Sequence, residues 1–243
     1  LRITMAKKVA EKRIQNECVF EIRYKPNPKV IDNRGHWAES IYEHLHLEHS
    51  RIEENRIEIF SDDRTILFFL GFKNSGLSLV NVPNKEYFQN HVRNMLNFTF
   101  SLNGFGESIY IERIGVRCKF CTPYPGSFDN LKLRYATRYI TITDKAKEVL
   151  GEDAKLIDIG GPLNFKDRIG NFNTVSGPMP QSQFPQFFGR AGEYPQVGLY
   201  FDIDYWDRPK KNFDGNQLIE VISKFFISGW DRHNRIRDLI ING

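Results

Sequence analysis

Alternation between apolar and polar residues constrains this chain more than any other feature. Cys18, Phe20, Ile22 and Tyr24 are set against Val19, Glu21 and Arg23. Residues 107–120 alternate in the same way, with Ile109, Ile111, Arg113 and Gly115 against Tyr110, Glu112, Ile114 and Val116. Near the end, Phe201, Ile203 and Tyr205 alternate with Asp202 and Asp204. A period of two is that of a strand with one buried face and one wet face. Sheets built from such strands are mostly antiparallel and carry helices on the buried side.

The remaining elements follow from periodicity and punctuation. Residues 36–49 place Trp37, Ile41, Leu45 and Glu48 on one helical face, and residues 52–60 read as a strand. Residues 65–72 are almost wholly apolar, which predicts a central strand covered on both faces. A second helix is expected from residue 85 to about residue 100, through Phe88, Val92, Met95, Leu96 and Thr99. It ends at Asn103 and Gly104, which tolerate left-handed backbone. Residues 131–143 are rich in Tyr, Thr and Ile and read as a strand on β-propensity, with a helix through Leu131, Tyr135 and Arg138 as the alternative. A short helix from Asp144, strands at 155–159, 163–175 and 197–205, and an aperiodic loop at 177–192 follow. The chain closes on a long amphipathic helix from Asp214 to about Ile240, with a bend expected at Gly229. The fold class is therefore α+β. It has a basic arm at 1–15 and two halves, 16–122 and 123–243, each a mostly antiparallel sheet with helices on one face. Their shared order suggests an internal duplication.

Charge separates the arm from the body. The chain has 34 basic and 30 acidic residues. Arg2, Lys7, Lys8, Lys12 and Arg13 against Glu11 give residues 1–15 a charge of +4, so the remaining 29 basic and 29 acidic side chains balance. A neutral body lacks the clustered positive charge that phosphate backbones require. Nucleic-acid contact is accordingly expected only through the arm, at Lys7, Lys8, Lys12 and Arg13, where Ile3, Ala6, Ala10 and Ile14 fall at helical spacing. Met5 is the expected natural start. The apolar runs are too short to cross a bilayer, so no membrane contact is expected. Three cysteines do not form a disulfide framework, and a reducing, cytoplasmic setting is expected.

Candidate chemistry is sparse. Asp202 and Asp204 share a strand face, a spacing that suits paired divalent cations, with Asp207 as a third carboxylate. The plainer reading is the solvent face of an edge strand. Cys118 and Cys121 form a C-x-x-C without the partner ligands of a zinc site, and His44, His46 and His49 lie close together on the first helix without a complete motif. Phosphate-loop, dinucleotide and nucleophile-elbow patterns do not occur. Phe184, Phe187, Phe188, Tyr194 and Trp206 cluster around the long loop as candidate partner-binding anchors.

Residues 16–24, residues 111–117 and Leu199-Tyr200-Phe201-Asp202-Ile203-Asp204, followed by the final helix, resemble a sporadically distributed family of uncharacterised bacterial proteins of about this size. The resemblance implies no established activity, so no catalytic residue is carried over from it; no cofactor is expected. The leading functional expectation is a non-enzymatic interaction or assembly subunit, bound to a protein partner or to itself and accessory to a larger bacterial complex. One rival is a metal-dependent nucleotide or nucleic-acid enzyme using Asp202 and Asp204. The other is a nucleic-acid-binding accessory subunit held by the arm.

Overall fold

Two strands of alternating sequence, β1 (Gln15–Tyr24) and β6 (Ile109–Pro123), lie antiparallel at the middle of the sheet. The computed structural model describes residues 15–151, 154–189 and 193–243. Between these strands the chain forms α1 (Pro28–Asp32), α2 (Arg34–Leu45), β2 (His49–Ile52), β3 (Arg56–Phe60), β4 (Ile66–Gly71), β5 (Asn74–Val80) and α3 (Lys85–Ser101). After β6 come α4 (Phe128–Arg138), α5 (Asp144–Leu150), β7 (Gly161–Lys166), β8 (Asn171–Pro180), α6 (Phe184–Phe188), β9 (Val197–Asp207), β10 (Lys211–Phe213) and α7 (Gly215–Arg237). The strands form one ten-stranded sheet, ordered β2-β3-β4-β5-β1-β6-β9-β8-β7, with β10 alongside β6. All pairings are antiparallel.

The connectivity is mirrored about the β1–β6 pair. Moving outward on one side the order is β1, β5, β4, β3; on the other it is β6, β9, β8, β7. In each direction a central strand is followed in sequence by two helices, a meander that returns to lie beside it, and a long helix, α3 or α7. The two long helices pack on each other. Phe88 stacks on Phe226 at 3.9 Å, and Lys85 pairs with Asp231 at 2.6 Å.

Helix starts are written locally. Asn84 caps α3 by accepting from the Tyr87 N–H, and Asp214 with Gln217 makes a full capping box at α7. Helices α2, α3 and α7 cover one face of the sheet, and residues from both sequence halves share that core, Phe20, Ile22, Phe68, Phe88, Val116, Ile203, Phe225 and Phe226 among them. Helix α4 joins the same side through Leu131 and Tyr135, whose hydroxyl hydrogen-bonds Ser176 Oγ at 2.8 Å.

Several sequence expectations change here. Residues 131–143 are not a strand: Ser127 caps the turn ahead of α4, and Leu131 and Tyr135 bury one helical face, which outweighs β-propensity. The segment 163–175 is not one strand but the β7–β8 hairpin. Asp167 closes its turn by accepting from the N–H groups of Ile169 and Gly170. Residues 155–159 form no strand. Within the described residues, the expected loop at 177–192 forms the end of β8, a single 3₁₀ turn and α6. Helix α7 passes through Gly229 without a break. The glycine lets it approach the sheet so closely that a Cβ there would lie 3.3 Å from Ile203 Cγ2. Strand β4 lies on the way to an edge, not at the centre, and its outer face is covered locally by Arg56 over Phe69 at 4.3 Å. No helix of the described residues is long and apolar enough to cross a membrane.

Candidate functional site

The face of the sheet turned away from α2, α3, α4 and α7 carries a row of charged side chains on each of its three middle strands. On β1 it presents Glu17, Val19, Glu21 and Arg23; on β6, Arg113, Gly115, Arg117 and Lys119; on β9, Tyr200, Asp202, Asp204 and Trp206. Strict alternation would have put Arg113 with Ile109 and Ile111. A register shift between Arg23 and Tyr24 leaves Glu112 as an extra residue, so Ile114 and Val116 return to the core and Arg113 emerges on the open face.

Each carboxylate on this face already has a cation. Lys119 pairs with Glu17 directly opposite it at 3.2 Å, and Arg23 pairs with Glu21 at 2.6 Å. The arginines of β6 reach diagonally. Arg117 is in register with Asp204 but grips Asp202 through Nε and Nη2, at 3.0 and 2.6 Å. Arg113 bonds Asp204 at 3.2 Å. Its guanidinium lies across Gly115, where a Cβ would come within 2.7 Å of Nη1. Asp202 is only 5% exposed, and its second partner is the Tyr200 hydroxyl at 3.3 Å. Burial raises the Asp204 carboxyl above its ordinary range, and Arg113 and Arg117 offset part of that rise. Burial likewise pushes the Tyr200 phenol up, with the neighbouring Asp202 charge adding to it.

These contacts decide what the Asp pair can do. Asp202 and Asp204 do share a face, as their spacing requires, but both are held by arginines. Asp207 pairs with core-facing Ile114 and so projects from the opposite side, which breaks the expected carboxylate triad. Among the described residues no group of three or more His, Cys, Asp or Glu is placed to hold a metal ion. Two cations brought to this strand would first have to displace two guanidinium groups.

The aromatic anchors divide. Phe184, Phe188 and Tyr194 are not surface anchors. With Cys121, Met179 and Tyr200 they form a small second core, because α6 folds back on one end of the open face. Phe187 and Trp206 stay partly exposed, Phe187 tilted against Tyr200 at 4.7 Å. They stand at opposite ends of β9, with the two aspartates between them.

The other motifs dissolve in the same way. Cys118 and Cys121, three apart on a strand, point to opposite faces. Cys118 instead lies opposite Cys18 in the core, and Cys121 sits in the second core. Helix α2 ends at His46 in left-handed backbone, so His46 and His49 do not share a helical face. His44 stacks on Phe98 and His49 pairs with Asp62. Lys7, Lys8, Lys12 and Arg13 lie outside the described residues. The sequence reading missed Arg113 and Arg117 as site residues. The signal available was their four-residue spacing on the wet side of a strand, obscured by the bulge at Glu112.

No protein-family model matches the chain, and no curated protein matches it.

Proposed function

We propose that the protein is a non-enzymatic interaction or assembly subunit that meets a protein partner, or a second copy of itself, through the face of β1, β6 and β9 turned away from α2, α3, α4 and α7. One observation carries this reading: an open sheet face carries four ion pairs whose acids and bases neutralise one another, flanked by Phe187 and Trp206. A catalytic centre needs a free base, acid or ligand set, and here those groups are spent on one another. A prearranged pattern of mixed charge with aromatic flanks is what selects a complementary protein surface and rejects a wrong one.

The mirrored connectivity supports reading the chain as an internal duplication, with its boundary between α3 and β6 and not at residue 122. In that reading the open face is where two related units join, with Glu17 and Lys119 meeting across the seam. The resemblance to the sporadically distributed bacterial family fits a role of this kind and supplies no activity.

The test is stoichiometric capture with the full chain, together with light scattering after size exclusion. Wild-type protein should associate, and Phe187→Asp with Glu21→Lys should weaken that association at least tenfold while leaving the thermal transition in place. A wild-type monomer at every concentration, with no stoichiometric partner, sinks the proposal.

A further inference from the structure

Beyond that interface, the geometry points to a ligand site. We propose that a recess at one end of the open face binds the phosphoryl group of a phosphorylated small molecule. The recess has a volume of about 450 Å³ and is lined by Arg23, Lys25, Tyr110, Glu112, Arg113, Arg208 and Lys210. That size is typical of a small-molecule pocket and larger than free phosphate needs.

Two irregularities of the sheet create the recess at the same level. The bulge that leaves Glu112 unpaired opens the β1–β6 ladder, and such bulges commonly re-aim side chains beside functional sites. On the other side of β6, β9 stops pairing at Asp207 and β10 resumes at Lys211, opposite Ile111. The turn between them carries Arg208 and Lys210 over the gap. Lys210 is held in left-handed backbone, at φ 49°, a conformation a side-chain-bearing residue seldom adopts.

Charge supplies the rest of the argument. Five cations line the recess against one carboxylate, Glu112. Arg23 and Arg113 are already matched by Glu21 and Asp204, while no ion pair is formed by Lys25, Arg208 or Lys210 among the described residues. Lys25 Nζ sits 4.0 Å over the Tyr110 ring, and Arg208 stands 5.6 Å over Trp206, so aromatic faces position both cations without neutralising them. Counting Glu21, Asp204 and Glu112, two positive charges remain in excess. A phosphate monoester carries about −1.5 to −2 at neutral pH. The body of the protein is neutral overall, so this excess is local and not part of a general basic surface.

The test uses the full chain and inorganic pyrophosphate, followed by calorimetry at low salt, with inorganic phosphate and a short single-stranded oligonucleotide as further arms. One saturable pyrophosphate site is expected. Lys25→Gln, Arg208→Gln and Lys210→Gln together should weaken it at least tenfold. Glu112→Gln should tighten it severalfold, and Lys224→Gln, on α7 across the sheet, should leave it unchanged. All three cations are exposed, so the triple variant should keep its thermal transition, which is measured alongside. No saturable binding, or equal affinity in the triple variant, overturns the proposal. Inorganic phosphate binding as tightly as pyrophosphate would overturn the assignment to a larger phosphorylated molecule, and so would tighter oligonucleotide binding through the same three residues.

Discussion

His233 has the most perturbed environment of any histidine described. It lies fully inside, stacked on Phe120 at 3.8 Å with Nε2 3.2 Å from the Thr122 hydroxyl. Burial, with Arg237 nearby, lowers its pKa from 6.5 to about 3. Below pH 6.5 the unfolded chain therefore takes up a proton that the folded chain refuses. Stability should fall by about 1.4 kcal/mol per pH unit from this group alone until the pH nears 3. Urea midpoints across that window should decline less steeply in His233→Phe. A residual slope should remain, because Asp167 is also held low. Its burial opposes the charge, but the N–H groups of Ile169 and Gly170, Tyr205 and Arg232 outweigh that, and their benefit is lost as acid protonates it. Gly76 gives a steric prediction at the same scale. A Cβ there would lie 2.2 Å from the Phe20 carbonyl oxygen and 2.6 Å from the Phe69 ring. Gly76→Ala should destabilise the protein by about 1–3 kcal/mol through overpacking, read from the shift of the denaturant midpoint.

Between elements, the diagonal pairing of β6 with β9 sets the expected energetics. Removing Arg117 leaves Asp202 buried and charged, so Arg117→Met should cost about 3 kcal/mol. Adding Asp202→Leu should restore most of it, since two apolar groups need no partner. If Asp202 instead served as a metal ligand, the double variant would fold but show no such recovery in the presence of metal. Gly115→Ala acts on the neighbouring pair more gently. The atoms nearest the added methyl belong to the guanidinium of Arg113, the far end of a flexible side chain, so the fold should survive with the Arg113–Asp204 contact displaced. A partner that reads this face should then bind less tightly, and a thermal midpoint within a few degrees of wild type would show that the loss is local.

At the scale of the whole molecule, both sequence halves feed one core, which predicts a single cooperative unfolding transition with coincident near- and far-ultraviolet circular dichroism. Two separated transitions would mean that the mirrored units fold independently. Chain fragments divided between α3 and β6 should aggregate, because each would expose β1 or β6 as an unpaired edge. Much of this architecture was legible in the residues. Alternation in residues 18–24 dictated a one-sided strand, and in 201–205 it put Phe201, Ile203 and Tyr205 on the core side, since period two is a local property of extended backbone. Apolar spacing through Phe88, Val92 and Met95, and from Leu218 to Phe226, dictated the long helices in the same local way, and the charge count separated a neutral body from a basic arm. The pairing of strands could not be read, because it depends on which distant segments share a register. Only the tertiary structure set Cys18 against Cys118, turned Arg117 to Asp202 and not to Asp204, and folded Phe184, Phe188 and Tyr194 inward. It also raised the bulge at Glu112 and the turn at Arg208–Lys210 to the same level, which brought five dispersed cations around one recess.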